Sequence, residues 1–562
     1  MMNDDIDLED AAPWLVLFAT IAGGFLRILL LDAKGLWLDE TFSIWMANLK
    51  VSEMLQWVIK IDQHPPLYYF LLHLWVGMNG SSPYFARLLS VLFGVGTIPI
   101  FYLIGKRLSG PLMGVAAAAF LAFSPFNIYY AQEARMYTLL MFNASVATLA
   151  LVRLLTDARS KAPMGSQIRN YLKVWKSAAP VEMVEEKPFT YKVESGFQKR
   201  WKAWVSRHHW LPVSEIETDL SWLAFILFST LTLYSHNTAV FFPVAANVFV
   251  LGLMLFQRKN KPAAELVFQP PSFLNWVKSQ GVILLLWIPW IIPFIKQSSV
   301  VYNRFWIPAP TWEAVAQVLK SLINPSAPLP SNLTTGIWIF FGVVFILGLV
   351  RFWGQFSKFL FLVTLFAIPL GGELLVSIWR PIFSGRTLIW ISIPLILLLA
   401  AGIARLKYKI LVIIVLGSLV TINLFSVSDY FRFFQKEDWN TAARTVAGWA
   451  EDDDLVLFNS NFVEIPFNYY IESYETHQYL RLEKRGLPLD LIDDGVLEPV
   501  MTEEDVPALL SLLKDHERVF LVYSHDSYTD PLGLIPQTIA SQMKLIRTNE
   551  FYGGVVQEYE AQ

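Results

Sequence analysis

The sequence is dominated by apolar segments of the length that a membrane-spanning helix needs. A span requires roughly 20 predominantly apolar residues, and 54% of this 562-residue chain is hydrophobic while 16% is charged. We therefore predict an α-helical polytopic membrane protein with about eleven transmembrane helices. The predicted spans are 14–31, 85–105, 111–128, 137–155, 219–236, 238–256, 279–296, 334–350, 359–378, 387–404 and 410–428.

The apolar segment 66–78 (PLYYFLLHLWVGM) is short for a span, at about thirteen residues. We predict that it forms an interfacial helix. This placement matters because a crossing segment would put the acidic pair Asp39-Glu40 and the polar stretch 129–139 on opposite faces of the membrane.

Lysine and arginine side chains set the predicted topology. With 66–78 on the surface, the positively charged loops all fall on one side, which the positive-inside rule makes cytoplasmic. We expect a multi-pass protein of the plasma (inner) membrane whose active site faces the extracytoplasmic side. The basic positions used are 106–107, the loop 156–218, 258–261, 351–358 and 405–409.

Composition divides the chain into two predicted domains. Residues 1–429 form a membrane domain with a polar cytoplasmic insertion at about 156–218. Residues 430–562 are acidic and combine short apolar runs, at 454–460 and 518–524, with helical patterns. We predict a small soluble extracytoplasmic α/β domain there.

The composition also excludes several chemistries. Because the chain contains no cysteine, disulfides, thiolate catalysis and cysteine-ligated metals are ruled out. The net charge of −3 gives no reason to expect a nucleic-acid partner. The sequence has no Walker loop, no GxGxxG motif and no zincin helix.

Asp39 and Glu40 stand in LWLDET, just after the first apolar segment. Charges at the mouths of membrane helices are costly and often functional. An aspartate here could act as general base on an acceptor hydroxyl or hold a cation. The alternative is a helix N-terminus, where acidic side chains are favoured for stability alone.

The stretch YYAQEARMYTL (129–139) carries Glu133 and Arg135 between Tyr130 and Tyr137. An arginine at this position can bind a phosphate with two parallel hydrogen bonds, and the flanking side chains would line the same site. A local ion-pair network between Glu133 and Arg135 is the structural alternative.

Further arginines lie in loops predicted on the outer side, against the positive-inside bias. They are Arg304 in a long loop, and Arg380 and Arg386 in RPIFSGR. Together with Arg135 they would suit an anionic lipid head group. Taken singly, each could be an interfacial anchor whose charged end reaches the head-group region.

Two histidines are candidates for a divalent cation. His64 precedes two prolines in DQHPPLYYF, and His236 ends the predicted span 219–236. Histidine is a common metal ligand, and His64 could equally contact a substrate phosphate. An interfacial turn for His64 and a helix end for His236 are the alternatives.

Taken together, these motifs resemble the GT-C superfamily of membrane glycosyltransferases, in the glycosyltransferase family 39-like branch. The pattern is similar to that of protein O-mannosyltransferases and aminoarabinose lipid A transferases. The matching pieces, in order, are LWLDETF (36–42), HPPLYYFLLHLW (64–75), RLLSVLFGVGTIPIFYLIGKRL (87–108), SPFNIYYAQEARMYTLL (124–140) and RFWIPAPT (304–311).

The resemblance implies a sugar donor carried on a polyprenyl phosphate, with transfer on the extracytoplasmic face. It implies that Asp39 is catalytic and that Glu40 supports it. The chain departs from the lipid A branch by having Gln63-His64 where that branch has an acidic-basic pair. It also has Phe42-Ser43 in place of an arginine-tyrosine. These departures argue against lipid A as the acceptor.

Our first hypothesis is therefore a glycosyltransferase that moves a hexosyl or pentosyl group from a polyprenyl-phosphate donor to an extracytoplasmic glycan, lipid or protein. Its donor site would use His64, Tyr130, Glu133, Arg135, Tyr137, Arg304 and Arg386. A transporter or flippase of the lipid-linked sugar, acting without bond cleavage, is the alternative. Many transporters contain inverted repeats, and we find none here. A scaffold for the soluble domain is a third reading, but it leaves the charged motifs without a role.

Overall fold

The computed structural model describes residues 8–60, 62, 64–170, 216–259, 268–300, 309–324, 331–489 and 499–562. Most of the predicted insertion 156–218 and the candidate Arg304 lie outside these residues. The described part consists of a helical region that ends at Phe433, followed by a region with one five-stranded sheet.

The helical region carries the apolar segments identified in the sequence. Its helices are α1 (Leu8–Ile28), α2 (Leu38–Asn48), α3 (Val51–Lys60), α4 (Leu67–Asn79), α5 (Pro83–Ser109), α6 (Pro111–Ala122), α7 (Pro125–Ala131), α8 (Tyr137–Thr156), α9 (Glu217–Leu233), α10 (Phe241–Lys259), α11 (Phe273–Val300), α12 (Trp312–Ile323), α13 (Ser331–Arg351), α14 (Phe356–Ser377), α15 (Ser392–Ala404) and α16 (Lys409–Phe433).

All eleven predicted spans fall on helices, which confirms a polytopic helical membrane protein. Within the described residues, eight helices are long and apolar enough to cross a membrane, or up to nine if the bent pair α6–α7 is one span. The predicted spans 219–236 and 387–404 form shorter helices, Glu217–Leu233 and Ile389–Ala404. The prediction of about eleven therefore exceeds the number that meets this criterion of length and composition.

The bend between α6 and α7 has a local cause. Ser124 accepts a hydrogen bond from the backbone of Asn127, and Pro125 occupies the first position of α7, so a new helix begins there. The two helices meet at 55°. Arg27 of α1 donates to the carbonyl oxygens of Leu121 and Ala122 at distances of 3.0 and 2.9 Å, so these carbonyls at the break are satisfied.

The helix α4 has 13 residues and packs against α2 and α5. Tyr68, Tyr69 and Leu72 are buried, while Phe70 and Leu74 are exposed. This is the two-faced pattern of a helix that lies against the protein with an apolar outer side. The interfacial position of segment 66–78 in the membrane stays a prediction.

Glycines let two helix pairs approach closely. A methyl group added at Gly105 of α5 would overlap the backbone of Gly114 in α6, and one at Gly348 of α13 would overlap the backbone of α15 near Gly402. Helices in lipid are not driven together by the hydrophobic effect. Small residues at such crossings let the backbones approach closely, and the resulting van der Waals packing favours association.

The C-terminal region is an α/β unit, as predicted. Its sheet has the order β2-β1-β3-β5-β4, with β1 parallel to β2 and β3, and with β5 antiparallel to β3 and β4. Separate apolar clusters cover the two faces of the sheet. The strands are β1 (Leu455–Phe458), β2 (Glu483–Gly486), β3 (Arg518–Tyr523), β4 (Met543–Phe551) and β5 (Gly554–Ala561), and the helices are α17 (Trp439–Trp449), α18 (Glu464–Gln478), α19 (Val506–Leu513), α20 (Asp526–Thr529) and α21 (Leu534–Gln542).

Candidate active site

The backbone that leads into α2 is held by side chains from distant parts of the chain. Arg87 of α5 donates to the carbonyl oxygens of Lys34 and Gly35, each at 2.8 Å. Tyr470 of α18 accepts from the amide of Leu36 through its hydroxyl oxygen, at 2.7 Å. Because the approach is fixed, the first turn of α2 presents its acidic pair in a defined direction.

Asp39 lies at the centre of a group that we call the Asp39 cluster: Asp39, Asp62, His64, Arg135 and Arg386. Arg386 Nη1 donates to Asp39 Oδ2 at 3.0 Å, and Arg135 Nε lies 3.9 Å from the same oxygen. Asp62 Oδ1 and His64 Nδ1 are 3.0 Å apart. Asp39, His64 and Arg386 are partly exposed.

Arg135 joins the two sequence motifs. It lies between α7 and α8, and its Nη1 donates to the carbonyl oxygen of Asp39 at 3.3 Å. The same nitrogen is 3.3 Å from Ser43 Oγ and 3.4 Å from Tyr69 Oη. The acidic pair and the stretch 129–139 therefore share one face of the protein, and α4 does not separate them.

The charges around Asp39 keep its carboxyl ionised. Burial alone would raise the pKa of Asp39, but Arg135 and Arg386 outweigh it and hold the pKa below its usual value. At neutral pH this group is a carboxylate that can accept a hydrogen bond from an incoming hydroxyl.

Aromatic side chains surround the cluster. The rings of Tyr130 and Tyr137 meet edge to face at 5.0 Å, and Tyr137 lies 6.4 Å from the His236 ring. His236 also meets His64 edge to face, with ring centroids 5.3 Å apart. The structure thus brings both candidate histidines and both candidate tyrosines to the site.

The histidines do not form a cation site with the described side chains. No group of three His, Asp or Glu side chains that could hold a metal ion occurs among the described residues. Asp62 is bonded to His64, and His236 Nδ1 lies 2.9 Å from Thr238 Oγ1. Burial lowers the pKa of His236 well below its usual value, which keeps the ring neutral.

Arg386 is held by the loop that carries it. The neighbouring Thr387 Oγ1 lies 2.8 Å from Glu373 Oε2 of α14 and 2.8 Å from the carbonyl oxygen of Ser384. Thr238, next to His236, contacts the carbonyl oxygen of Thr387 at 3.4 Å. Buried polar contacts therefore fix the backbone beside the arginine.

Glu40 belongs to a second group, the Glu40 cluster: Glu40, Arg87, Glu133 and Lys436. Arg87 donates to both carboxylate oxygens of Glu40 at 2.7 Å, and Lys436 Nζ donates to Oε2 at 2.9 Å. The amide of Ala134 donates to Oε1 at 2.9 Å. Glu133 lies 3.9 Å from Lys436 Nζ, and all four side chains are buried.

The Glu40 cluster is electrostatically closed. Burial would raise the pKa of Glu40, but Arg87 and Lys436 lower it to about 2. Burial raises the pKa of Glu133, and Lys436 only partly opposes this. The structure thus places Glu40 and Glu133, both predicted site residues, in a buried ion network apart from Asp39.

Three residues of these clusters escaped the sequence analysis. Asp62 stands two positions before His64 in the same motif, so its spacing could have revealed it. Arg87 lies near the start of an apolar helix. Charged side chains are rare in membrane helices and are usually paired or functional, so this arginine could have been singled out. Lys436 lies beyond the last span and carries no local signal, because its partner Glu40 is 396 positions away.

A family model described as dolichyl-phosphate-mannose-protein mannosyltransferase matches residues 63–168. The matched part contains His64, Glu133 and Arg135 but is less than half of the chain. Among curated proteins, none matches the sequence significantly.

Solved structures show the same fold over nearly the whole chain. ArnT from Cupriavidus metallidurans in the apo state has a TM-score of 0.59 at 13% identity, and 98% of each chain is covered. The same protein bound to undecaprenyl phosphate has a TM-score of 0.52 at 13% identity and the same coverage.

The oligosaccharyltransferase of Archaeoglobus fulgidus, tethered with an acceptor peptide containing the NVT sequon, has a TM-score of 0.50 at 10% identity. This match covers 98% of the present chain and 74% of the other. The family-model match and the shared fold confirm the resemblance stated above: the chain has the fold of the GT-C superfamily of membrane glycosyltransferases.

Proposed function

We propose that the protein transfers a sugar from a polyprenyl-phosphate donor to an acceptor hydroxyl on the extracytoplasmic side of the membrane. The observation that carries the proposal is the convergence of Arg135 and Arg386 on the carboxylate of Asp39. Two cations and one carboxylate at a partly exposed point on a membrane protein suit a phosphate leaving group and a nucleophilic hydroxyl. The fold supports this, because a protein that shares it was solved with undecaprenyl phosphate bound.

The donor phosphate would bind Arg386 and Arg135. A guanidinium matches the geometry of phosphate oxygens and stays charged, and Arg386 is partly exposed, with 22% of its side chain accessible. His64 lies at the same site and would contact the phosphate or the sugar. Tyr130 is partly exposed and would offer an apolar face to the sugar ring, while the buried Tyr137 packs against it.

The transfer is a single displacement at the anomeric carbon. The acceptor oxygen forms a bond to that carbon while the bond to the phosphate oxygen breaks, and its electron pair leaves with the polyprenyl phosphate. The hydroxyl proton passes to Asp39 and then to solvent. The two arginines stabilise the charge that develops on the leaving phosphate. One displacement inverts the configuration.

The pairing of Asp39 with two arginines makes it a weak base, and the mechanism accommodates this. The acceptor hydroxyl becomes strongly acidic only as its oxygen bonds to the anomeric carbon, so the proton can move late. Before that point the carboxylate orients the hydroxyl. The donor phosphate also competes for Arg386 and Arg135, which frees the carboxylate for the acceptor.

The test uses the purified full-length protein in detergent with a panel of polyprenyl-phosphate sugars and hydroxyl acceptors. We expect glycosylated acceptor and free polyprenyl phosphate in equal amounts. Asp454→Asn is the matched control variant. It removes an Arg518-paired aspartate in the C-terminal region, at 2.7 Å, without touching the site, and it should keep the wild-type rate.

A transporter or flippase would give a different result. In proteoliposomes it would move the lipid-linked sugar across the bilayer without releasing polyprenyl phosphate. Sugar movement without bond cleavage across the whole panel would overturn the proposed transfer.

A further inference from the structure

The N-terminus of α2 is capped from the C-terminal region. Glu437 Oε2 accepts a hydrogen bond from the amide of Leu38, the first residue of α2, at 3.1 Å. The α2 helix has no capping side chain at its own N-cap residue, Trp37. A carboxylate here satisfies an orphan amide and favours the positive end of the helix dipole.

Glu437 is itself held firmly. Its Oε1 lies 3.1 Å from His525 Nε2, and Trp439 Nε1 donates to its Oε2 at 2.9 Å. Gly553 packs directly against it, so a larger residue there would meet the Glu437 side chain. These partners all belong to the C-terminal region.

These contacts lie at a special position of the sheet. From β1 the chain moves outward to β2 and then returns past β1 to β3, so the strand order reverses between β1 and β3. The crevice outside the carboxyl ends of such strands is where α/β sheets bind ligands. His525 lies two residues after the end of β3 and adopts a left-handed backbone conformation, with φ 59°. Here the crevice receives Glu437 of the same chain.

Lys436, the residue before Glu437, also contacts the first turn of α2. Lys436 donates to Glu40 at 2.9 Å and to the carbonyl oxygen of Gln132 at 3.2 Å. Adjacent residues of one short connection therefore grip α2 on both sides of Asp39, at Leu38 and at Glu40.

We propose that Glu437, seated in the crevice of the C-terminal sheet, is a positioning residue that fixes the direction of the Asp39 carboxylate. The inference rests on the transfer proposed above, but the contact can be tested without it. It gives the C-terminal region a role in catalysis: the sheet acts as a rigid support for the first turn of α2. Misplacing a reacting group by about 1 Å can cost on the order of a hundredfold in rate.

The experiment compares Glu437→Ala, Glu437→Gln and the control Asp454→Asn in the full-length protein. Asp454 pairs with Arg518 at the opposite, amino-terminal edge of the same sheet. Glu437→Ala should lower kcat about tenfold or more and leave the KM for the donor within about twofold. Glu437→Gln keeps an oxygen for Leu38 and Trp439 and an amide for His525, so it should restore most of kcat.

Hydrogen exchange of the α2 amides gives the second readout. The amides of residues 38–43 should exchange faster in Glu437→Ala than in wild type or Asp454→Asn. Equal exchange in the alanine variant and the control would overturn the positioning role, and so would an unchanged kcat in folded Glu437→Ala. A wild-type protein without transfer activity would contradict the proposed function, while the exchange comparison would still decide whether Glu437 holds α2.

Discussion

The Asp39 cluster and the Glu40 cluster start from adjacent residues of one helical turn, yet their charges are compensated differently. Glu40 is 0% exposed and its two cations, Arg87 and Lys436, are 1% and 3% exposed. Asp39 and Arg386 keep 26% and 22% of their side chains accessible. The first group is buried and its two cations neutralise Glu40, although Glu133 Oε1 has no hydrogen-bond partner among the described residues. In the second group Arg135 is also buried, at 3%, but Asp39, His64 and Arg386 are partly exposed and can contact a ligand.

The comparison shows how a neighbouring acid pair can divide its tasks. Successive residues of a helix point about 100° apart, and here Asp39 contacts Arg386 and Arg135 while Glu40 contacts Arg87 and Lys436. The buried Glu40 network ties α2 to α5 and to the C-terminal region, and α2 in turn carries Asp39. The resemblance to known families implied that Glu40 supports Asp39, and the geometry suggests support through the position of the helix.

The largest expected effect is on turnover, from Asp39→Asn. The substitution keeps the size of the side chain but removes the charge that orients and deprotonates the acceptor. We expect transfer to fall about a thousandfold, with thermal stability close to wild type. Initial rates with saturating donor measure the effect. Near-normal turnover by folded Asp39→Asn protein would favour a role for Asp39 as a helix-terminal acid alone.

Glu40→Gln should instead act on stability. It leaves the buried cations Arg87 and Lys436 without their main partner, and breaking a buried ion pair costs about 3–5 kcal/mol. We expect a lower unfolding temperature in detergent. The protein that remains folded should keep donor affinity near the wild-type value.

The pH dependence has a defined sign. Because the folded-state pKa of Glu40 is lowered to about 2 from 4.5, its contribution to the unfolding free energy is fully present above about pH 4.5. That contribution is lost as the pH falls toward about 2. A Glu40→Gln protein whose stability matches wild type at neutral pH would contradict the closed-cluster assignment.

Arg386→Lys tests the Asp39 cluster at the more exposed of its two arginines. Lysine keeps the charge but loses the planar pair of donors, so we expect donor affinity to weaken about tenfold. Replacement by alanine should cost about 2–5 kcal/mol if the phosphate contact is desolvated. Binding of polyprenyl phosphate to the purified protein measures both variants, and Arg518→Lys, which changes an arginine paired with Asp454 in the C-terminal region, is the matched control. Unchanged affinity in Arg386→Ala would remove this residue from the phosphate site.

Much of the fold was accessible from sequence because it depends on local patterns. Apolar length located the helices, although the predicted span 111–128 is broken into two helices before Pro125. Asp39, Arg135 and Arg386 were found because charges near apolar segments stand out. Glu40 was predicted to support Asp39 in catalysis and Glu133 to line the donor site. Their placement in one buried network depends on Lys436, nearly 400 positions from Glu40. No local pattern encodes a contact of that separation.

The smallest expected effect is on the turnover of Asp62→Asn, which tests whether Asp62 belongs to the Asp39 cluster. Asp62 accepts from His64 through Oδ1 at 3.0 Å, and it also lies close to Tyr69. Asp62→Asn keeps an oxygen for the imidazole but removes the charge, and one such hydrogen bond is worth about 0.5–1.5 kcal/mol.

We therefore expect kcat to fall about two- to tenfold in Asp62→Asn, with little change in unfolding temperature, because His64 keeps a partner and 21% of its side chain faces the open site. Steady-state rates and thermal unfolding of the same preparation provide the measurement. Asp62→Ala should lower kcat further, since the ring loses its orienting acceptor. Asp62→Asn could instead destabilise the fold, as expected for Glu40→Gln, and leave kcat intact. Asp62 would then have a structural role like that of the Glu40 cluster, and the Asp39 cluster would be limited to Asp39, Arg135, Arg386 and His64.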